Sequence, residues 1–152
     1  MAAIPMREKV EQLEEMMQAY DPAVLPIRHH FADGIYAREM FMPAGAVLTG
    51  AVHKTTHMCI LSKGHVRVAS EDGPIDLVAP ATLIAKPGTK RAIFALEDSV
   101  WTNIHATNET DLDKIVEELT ESTAAELQGG TANRQQLAQS ERELVWLSLP
   151  QH

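Results

Sequence analysis

The chain has 152 residues, 45% of them hydrophobic and 22% charged, with one cysteine and a formal net charge of −8 at pH 7. That length suits one domain with a real hydrophobic core, and a lone thiol, Cys59, excludes an intramolecular disulfide framework. The acidic balance, with no cluster of lysine or arginine, argues against a nucleic-acid partner, and no apolar run approaches the roughly 20 residues of a membrane span.

The N-terminal stretch lacks a basic region followed by an apolar run, so no signal peptide is expected and the default location is the cytoplasm. Residues 3–20 predict a helix, with Val10, Leu13, Met17 and Tyr20 at helical spacing and Asp21-Pro22 ending it. Met6, Met16 and Met17 suit an adaptable packing surface, on the domain or on a partner subunit. Residues 23–44 are mixed and end in a strand over Ile35 to Met42. His29 and His30 are adjacent, so on a strand only one of them could point at a shared site. Both read first as surface or loop histidines.

From Gly45 to His105 the chain keeps producing short strands with turns between them. The candidates are Val47–Val52, Met58–Leu61, Val66–Ala69, Ile75–Val78, Thr82–Ala85, Ala92–Leu96 and Val100–Ile104. Turn signals fall at Ser62-Lys63-Gly64, Glu71-Asp72-Gly73-Pro74, Pro87-Gly88 and Glu97-Asp98-Ser99. Short strands at regular spacing predict an all-β sandwich or barrel. After His105 the period becomes helical. Thr110 with Asp113 resembles a capping box, Leu112, Ile115, Val116, Leu119 and Leu127 form an apolar stripe, and Gly129-Gly130 stops it. A last helix is expected near Asn133 to Leu147. Apolar residues there and at Trp146 predict docking to the barrel or to another copy, most simply a two-fold dimer.

His53 and His57 flank the turn Lys54-Thr55-Thr56. A hairpin centred on Thr55 would make them cross-strand neighbours, with Cβ atoms roughly 4.5–5.5 Å apart, near enough to share a metal ion. The plainer alternative is a surface hairpin end with both rings bonded to Thr55 or Thr56.

The spacing of this stretch resembles the cupin superfamily, small antiparallel jelly-roll barrels with two signature motifs. The first, G-x5-H-x-H-x3-E-x6-G, fits at Gly45, Ala51, His53, His57 and Gly64, with alanine at the first histidine position and histidine at the glutamate position. The second, G-x5-P-x-G-x2-H-x3-N, aligned on Gly88, puts Pro80, Lys86, Arg91 and Ala95 at the glycine, proline, histidine and asparagine positions. The chain also resembles small phage- and prophage-encoded proteins in general character. The resemblance implies a mainly β fold, with a cupin barrel over residues 35–105, a helix and lead-in over 1–34, and a helical extension over 106–152.

The usual third ligand position falls on Arg91. A hairpin centred on Asp98 would set Arg91 opposite His105 and Ala95 opposite Trp101, so His105 is the expected replacement. The expected metal site is therefore His53, His57 and His105, with a divalent transition metal (Zn, Fe, Ni or Mn) as cofactor. Arg91, Tyr36, Arg38, Cys59 and Trp101 are the expected cavity residues around a small-molecule ligand. Alternatives stay open: His105 as a strand-end histidine facing water, Arg91 as a partner of Glu97 or Asp98, and Cys59 as either a buried inert thiol or a fourth soft ligand. Three functions follow: a metal-dependent enzyme, a non-catalytic module that sequesters a small molecule, and a structural oligomer.

Overall fold

A computed structural model of the chain describes residues 4–17, 25–69 and 73–122. Two helices and nine strands follow in the order α1 (Met6–Met17), β1 (Ile27–Ala32), β2 (Ile35–Met42), β3 (Val47–Thr49), β4 (His57–Lys63), β5 (His65–Val68), β6 (Ile75–Val78), β7 (Ala81–Ala85), β8 (Ala92–Ala95), β9 (Ser99–Ala106) and α2 (Leu112–Leu119). The strands form two antiparallel sheets, one ordered β1-β2-β9-β4-β7 and the other β3-β8-β5-β6. The seven strands predicted from Val47 onward are all present; Ile75–Val78 coincides with its prediction and the other ends match or differ by at most three residues.

β1 is a strand that the mixed pattern of residues 23–34 did not predict. It pairs with β2 from Ala32↔Ile35 to Ile27↔Met40. The two residues between them are Asp33-Gly34, with Gly34 at φ 73°. Asp-Gly is a strong two-residue hairpin signal, because both central positions favour positive or tolerant φ.

Alternation decides what the sheets bury. In β2, Tyr36, Met40 and Met42 are buried, and in β4, Cys59 and Leu61. Met40, Met42, Cys59 and Leu61 share one core with Trp101 of β9 and with Leu48, Val66, Val68, Ile93 and Ala95 of the other sheet, while Tyr36 packs with Ile115 and Leu119 of α2. Each such aliphatic side chain contributes about 1.5–3 kcal/mol through the surface it removes from water. α1 lies on this body. Val10 and Met17 are buried, and the buried pair Lys90 Nζ–Glu14 Oε1 at 3.0 Å holds the helix to the β7–β8 connection.

Two predicted hairpins are not formed. Residues 46–53 do not pair with β4; β3 pairs with β8 in the opposite sheet. Arg91 and His105 do not face each other across a turn at Asp98 either. β8 lies in the four-stranded sheet and β9 in the five-stranded one, so Glu97-Asp98 is a crossing between layers. The crossing is built from specific bonds. Asp98 Oδ1 accepts from Ala44 N at 2.8 Å, Ser99 Oγ donates to Glu97 O at 2.8 Å, and the same hydroxyl accepts from His65 N at 3.2 Å. Pairing of neighbours in sequence is only the commonest arrangement, and a two-layer β structure needs strands that change sheet.

α2 also differs at its ends. Its N-cap is Asp111, whose carboxylate accepts from Asp113 N and Lys114 N, and not Thr110. It ends at Leu119 with Thr120 as C-cap. Tyr20, Asp21-Pro22, Glu71-Asp72, Leu127, Gly129-Gly130, the helix expected near 133–147 and Trp146 lie outside the described residues.

Gly64 sits at φ 93° where β4 turns into β5. A Cβ there would press on the Ser99 hydroxyl and fall 2.5 Å from the Asp98 carbonyl oxygen. Gly64→Ala should therefore destabilise the fold by about 2–4 kcal/mol. A urea midpoint within error of the wild type would show that the crossing is not the tight point it is taken to be.

Candidate metal centre

The five-stranded sheet carries its inward side chains in transverse rows, because residues directly opposed across a ladder share a face. The ladder pairs Tyr36 with His105 and Cys59 with Asn103. One step beyond Met58↔Ile104, His57 stands beside His105. One row therefore runs Phe31, Tyr36, His105, His57, Ala85. The next runs His29, Arg38, Asn103, Cys59, Leu83. A third runs Ile27, Met40, Trp101, Leu61, Ala81.

His53 comes from a loop, and α2 places it. It forms an isolated bridge with Thr120. Its neighbour Lys54 donates its backbone N–H to Leu119 O at 2.7 Å and its ammonium to Glu117 O at 2.9 Å. Both acceptors are carbonyls of the last helical turn, which lack partners within the helix and carry its negative end. On the other side, Gly88 N donates to His53 O at 2.9 Å.

The three rings converge. Ring centroids are 4.3 Å apart for His53–His57, 4.6 Å for His57–His105 and 5.1 Å for His53–His105. One nitrogen from each lies within 4.8 Å of the others. Two zinc bonds of about 2.0–2.1 Å at a tetrahedral angle would need donors roughly 3.3–3.5 Å apart, so small ring rotations close the set. Nδ1 of His57 and Nδ1 of His105 are buried without a hydrogen-bond partner among the described residues. Leaving such atoms unpaired costs about 1–3 kcal/mol each.

The rings are also held neutral, as metal ligands must be. Burial, then the charges His57 and His105 would carry, push the His53 pKa down to about 3. Burial, then His57 and Arg38, push His105 down to about 4. Burial lowers His57 as well; the Thr55 backbone opposes this and Arg91 adds to it.

The centre opens onto a cavity of about 320 Å³ between the sheets, roofed on the histidine side by Ile115, Leu119 and neighbours of α2. All five residues expected around it line it: Tyr36, Arg38, Cys59, Arg91 and Trp101. Arg91 precedes β8 and is on no strand; its Nη1 donates to Cys59 Sγ at 3.2 Å, and no ion pair joins it to Glu97 or Asp98 among the described residues. Cys59 is buried, and burial raises its pKa against the pull of Arg91, which keeps the thiol protonated. Asn103 and His29 are among the lining residues that were not predicted. Asn103 accepts from Trp101 Nε1 at 2.8 Å. His29 lies 2.7 Å through Nδ1 from the Tyr36 hydroxyl, while His30 faces outward toward Glu39. The period-2 run Ile27, His29, Phe31 was the available signal for His29.

The lowered histidines set a pH dependence for the metal-free protein. Unfolded histidine titrates near 6.5, so above that pH both states are neutral and the rings add nothing. As pH falls below it, the unfolded chain takes up protons that the folded centre refuses, and stability drops until pH nears 4 and then 3. The loss should be about 3 kcal/mol for His105 once pH nears 4, and more for His53. His105→Leu should flatten the slope between pH 6.5 and 4.5 in urea titrations, and parallel slopes would refute this account.

No family model and no curated protein matches the chain. Among solved structures it is similar to a cupin-2 domain protein from Shewanella frigidimarina, at 15% identity and TM-score 0.47 over 68% of this chain and 100% of that one. It is similar to a cupin superfamily protein from Desulfitobacterium hafniense, at 13% identity and TM-score 0.46 over 60% and 86%. It is also similar to KdgF from Halomonas sp., at 21% identity and TM-score 0.46 over 57% and 79%. Cupin-domain proteins are thus among the solved structures that this chain resembles.

Proposed function

We propose that the protein is a cupin-like metal-binding protein whose two sheets are the halves of a jelly-roll barrel. His53, His57 and His105 hold one divalent transition metal at the wall of a small-molecule cavity. The observation that carries this is the convergence of the three rings, with one nitrogen of each within 4.8 Å of the others; Nδ1 of His57 and Nδ1 of His105 are also buried without a partner among the described residues. An all-imidazole set suits Zn, Fe, Ni or Mn. Bound there, such an ion supplies Lewis acidity toward an oxygen of the ligand. The chain's own part is to keep the three rings neutral, exclude water with α2, and orient the ligand. A homo-oligomer in the cytoplasm belongs to the same proposal and rests on the sequence.

One observation favours a binding role without turnover. Efficient proton transfer at neutral pH wants a group titrating near 7. Here His53 and His105 are pushed well below that range and His57 is lowered too, while Tyr36 and Cys59 are pushed up by burial. A sequestering module is therefore the second reading.

Metal analysis of protein reconstituted with each of the four ions decides the matter. The wild type should retain about one equivalent of at least one ion after dialysis. His57→Ala and His105→Ala should each lose most of it. Because burial holds His53 and His105 neutral well below the ordinary histidine range, their share of the affinity should persist below pH 6 and fall as pH approaches 4. Retention unchanged in the triple alanine variant would overturn the site.

A further inference from the structure

The row next to the histidines carries an unmatched positive charge. Arg38 stands opposite Asn103 across one ladder, and Cys59 stands opposite Asn103 across the other. Arg91 reaches the same place from the connection before β8, with Nη1 on Cys59 Sγ at 3.2 Å. Two guanidiniums therefore flank one amide inside the cavity. No carboxylate pairs with either of them among the described residues. The groups that Arg38 does act on are Tyr36 and the histidines 29, 53 and 105, none of which supplies a negative charge at neutral pH. Among the described residues the one acid on the lining is Asp113, exposed at the first turn of α2.

Asn103 is oriented for the same purpose. Indole Nε1–H can only donate, so the atom 2.8 Å from it is the amide oxygen. That leaves the Asn103 Nδ2 group as the free donor. Both guanidiniums are planar forks that match a carboxylate in two bonds at once. On one side of this row lie Met40, Trp101 and Leu61, which suit a short carbon chain. On the other side, two residues along each strand and so roughly 6.6 Å away, lie His57 and His105.

We propose that the cavity binds a small carboxylate over Asn103, between Arg38 and Arg91, with a second oxygen of the same molecule directed toward the three histidines. The proposal rests on the metal reading for that second contact only; the carboxylate contact stands on separate residues. A phosphate fits less well, because the flank formed by Met40, Trp101 and Leu61 is apolar and the N-terminus of α2 carries Asp111 and Asp113.

Calorimetric titration of zinc-loaded and metal-free protein with succinate, malate, succinamide and inorganic phosphate tests this. Succinate and malate should saturate one site, and the uncharged succinamide should not bind over the same range. Arg38→Gln and Arg91→Gln should each weaken binding roughly ten- to hundredfold with zinc content unchanged. Arg38→Lys, which keeps the charge without the fork, should restore only part of it, separating recognition from misfolding. Equal binding of succinate and succinamide, unaltered affinity in the glutamine variants, binding of phosphate alone, or no carboxylate binding would each overturn the proposal. Retained zinc without carboxylate binding would sink this inference and spare the metal site. Arginine-dependent carboxylate binding in protein that holds no metal would do the reverse.

Discussion

The ladder register β2–β9–β4 is the constraint on which the rest depends. Because side chains alternate with period two, a slip of one residue in either ladder would turn a whole row to the outer face. Tyr36↔His105 and Cys59↔Asn103 fix both ladders, and they place one histidine row, one cationic row and one apolar row side by side. The buried third row secures this arrangement. Trp101, Met40 and Leu61 are each nearly inaccessible to water, and exposing them would cost several kcal/mol in sum. The functional rows are thus held in register by a neighbouring row that has no chemistry of its own.

What the histidine and arginine rows share is incompleteness. Buried nitrogens without partners and guanidiniums without counter-charges both oppose folding. A protein that keeps several such groups in one cavity gives up stability at that place, which is where strained or unsatisfied groups concentrate when a ligand completes them. The surroundings are otherwise economical. Trp101 Nε1 and Tyr36 Oη each have a partner, whereas Nδ1 of His57 and Nδ1 of His105 have none among the described residues.

The strands after residue 45 were legible because alternation and Gly/Pro turns are local properties. Sheet membership was not, because it depends on which layer a strand joins after a turn. Arg91 and His105 show the difference. Their spacing predicts a hairpin across Asp98 and the structure has a crossing there, yet His105 still reaches the centre because parity along β9 is preserved whichever neighbour it pairs with. His53 and His57 likewise converge without forming a strand pair; the loop is set by α2, a contact that no pattern within residues 45–64 could reveal. β1 had its own signal in Asp33-Gly34, but histidines and phenylalanine on alternating positions do not look like a half-buried strand until the cavity behind it is known. Arg38 was nameable as a cavity residue from its strand; that it would lack a carboxylate was not, since counter-charges come from elsewhere in the chain.

The attachment of the His53 loop to α2 also bears on the order in which the molecule assembles. Lys54 and Glu117 are separated by 63 positions along the chain, so the loop cannot settle until the last described helix has arrived. Contacts of such long range close late, after the sheet they lie on has formed. A folding chain therefore presents a nearly finished sheet with two of its three imidazoles in place and the third still free. During synthesis the cavity stays open on that side until residues beyond β9 have emerged, so its interior meets solvent before the roof is laid down.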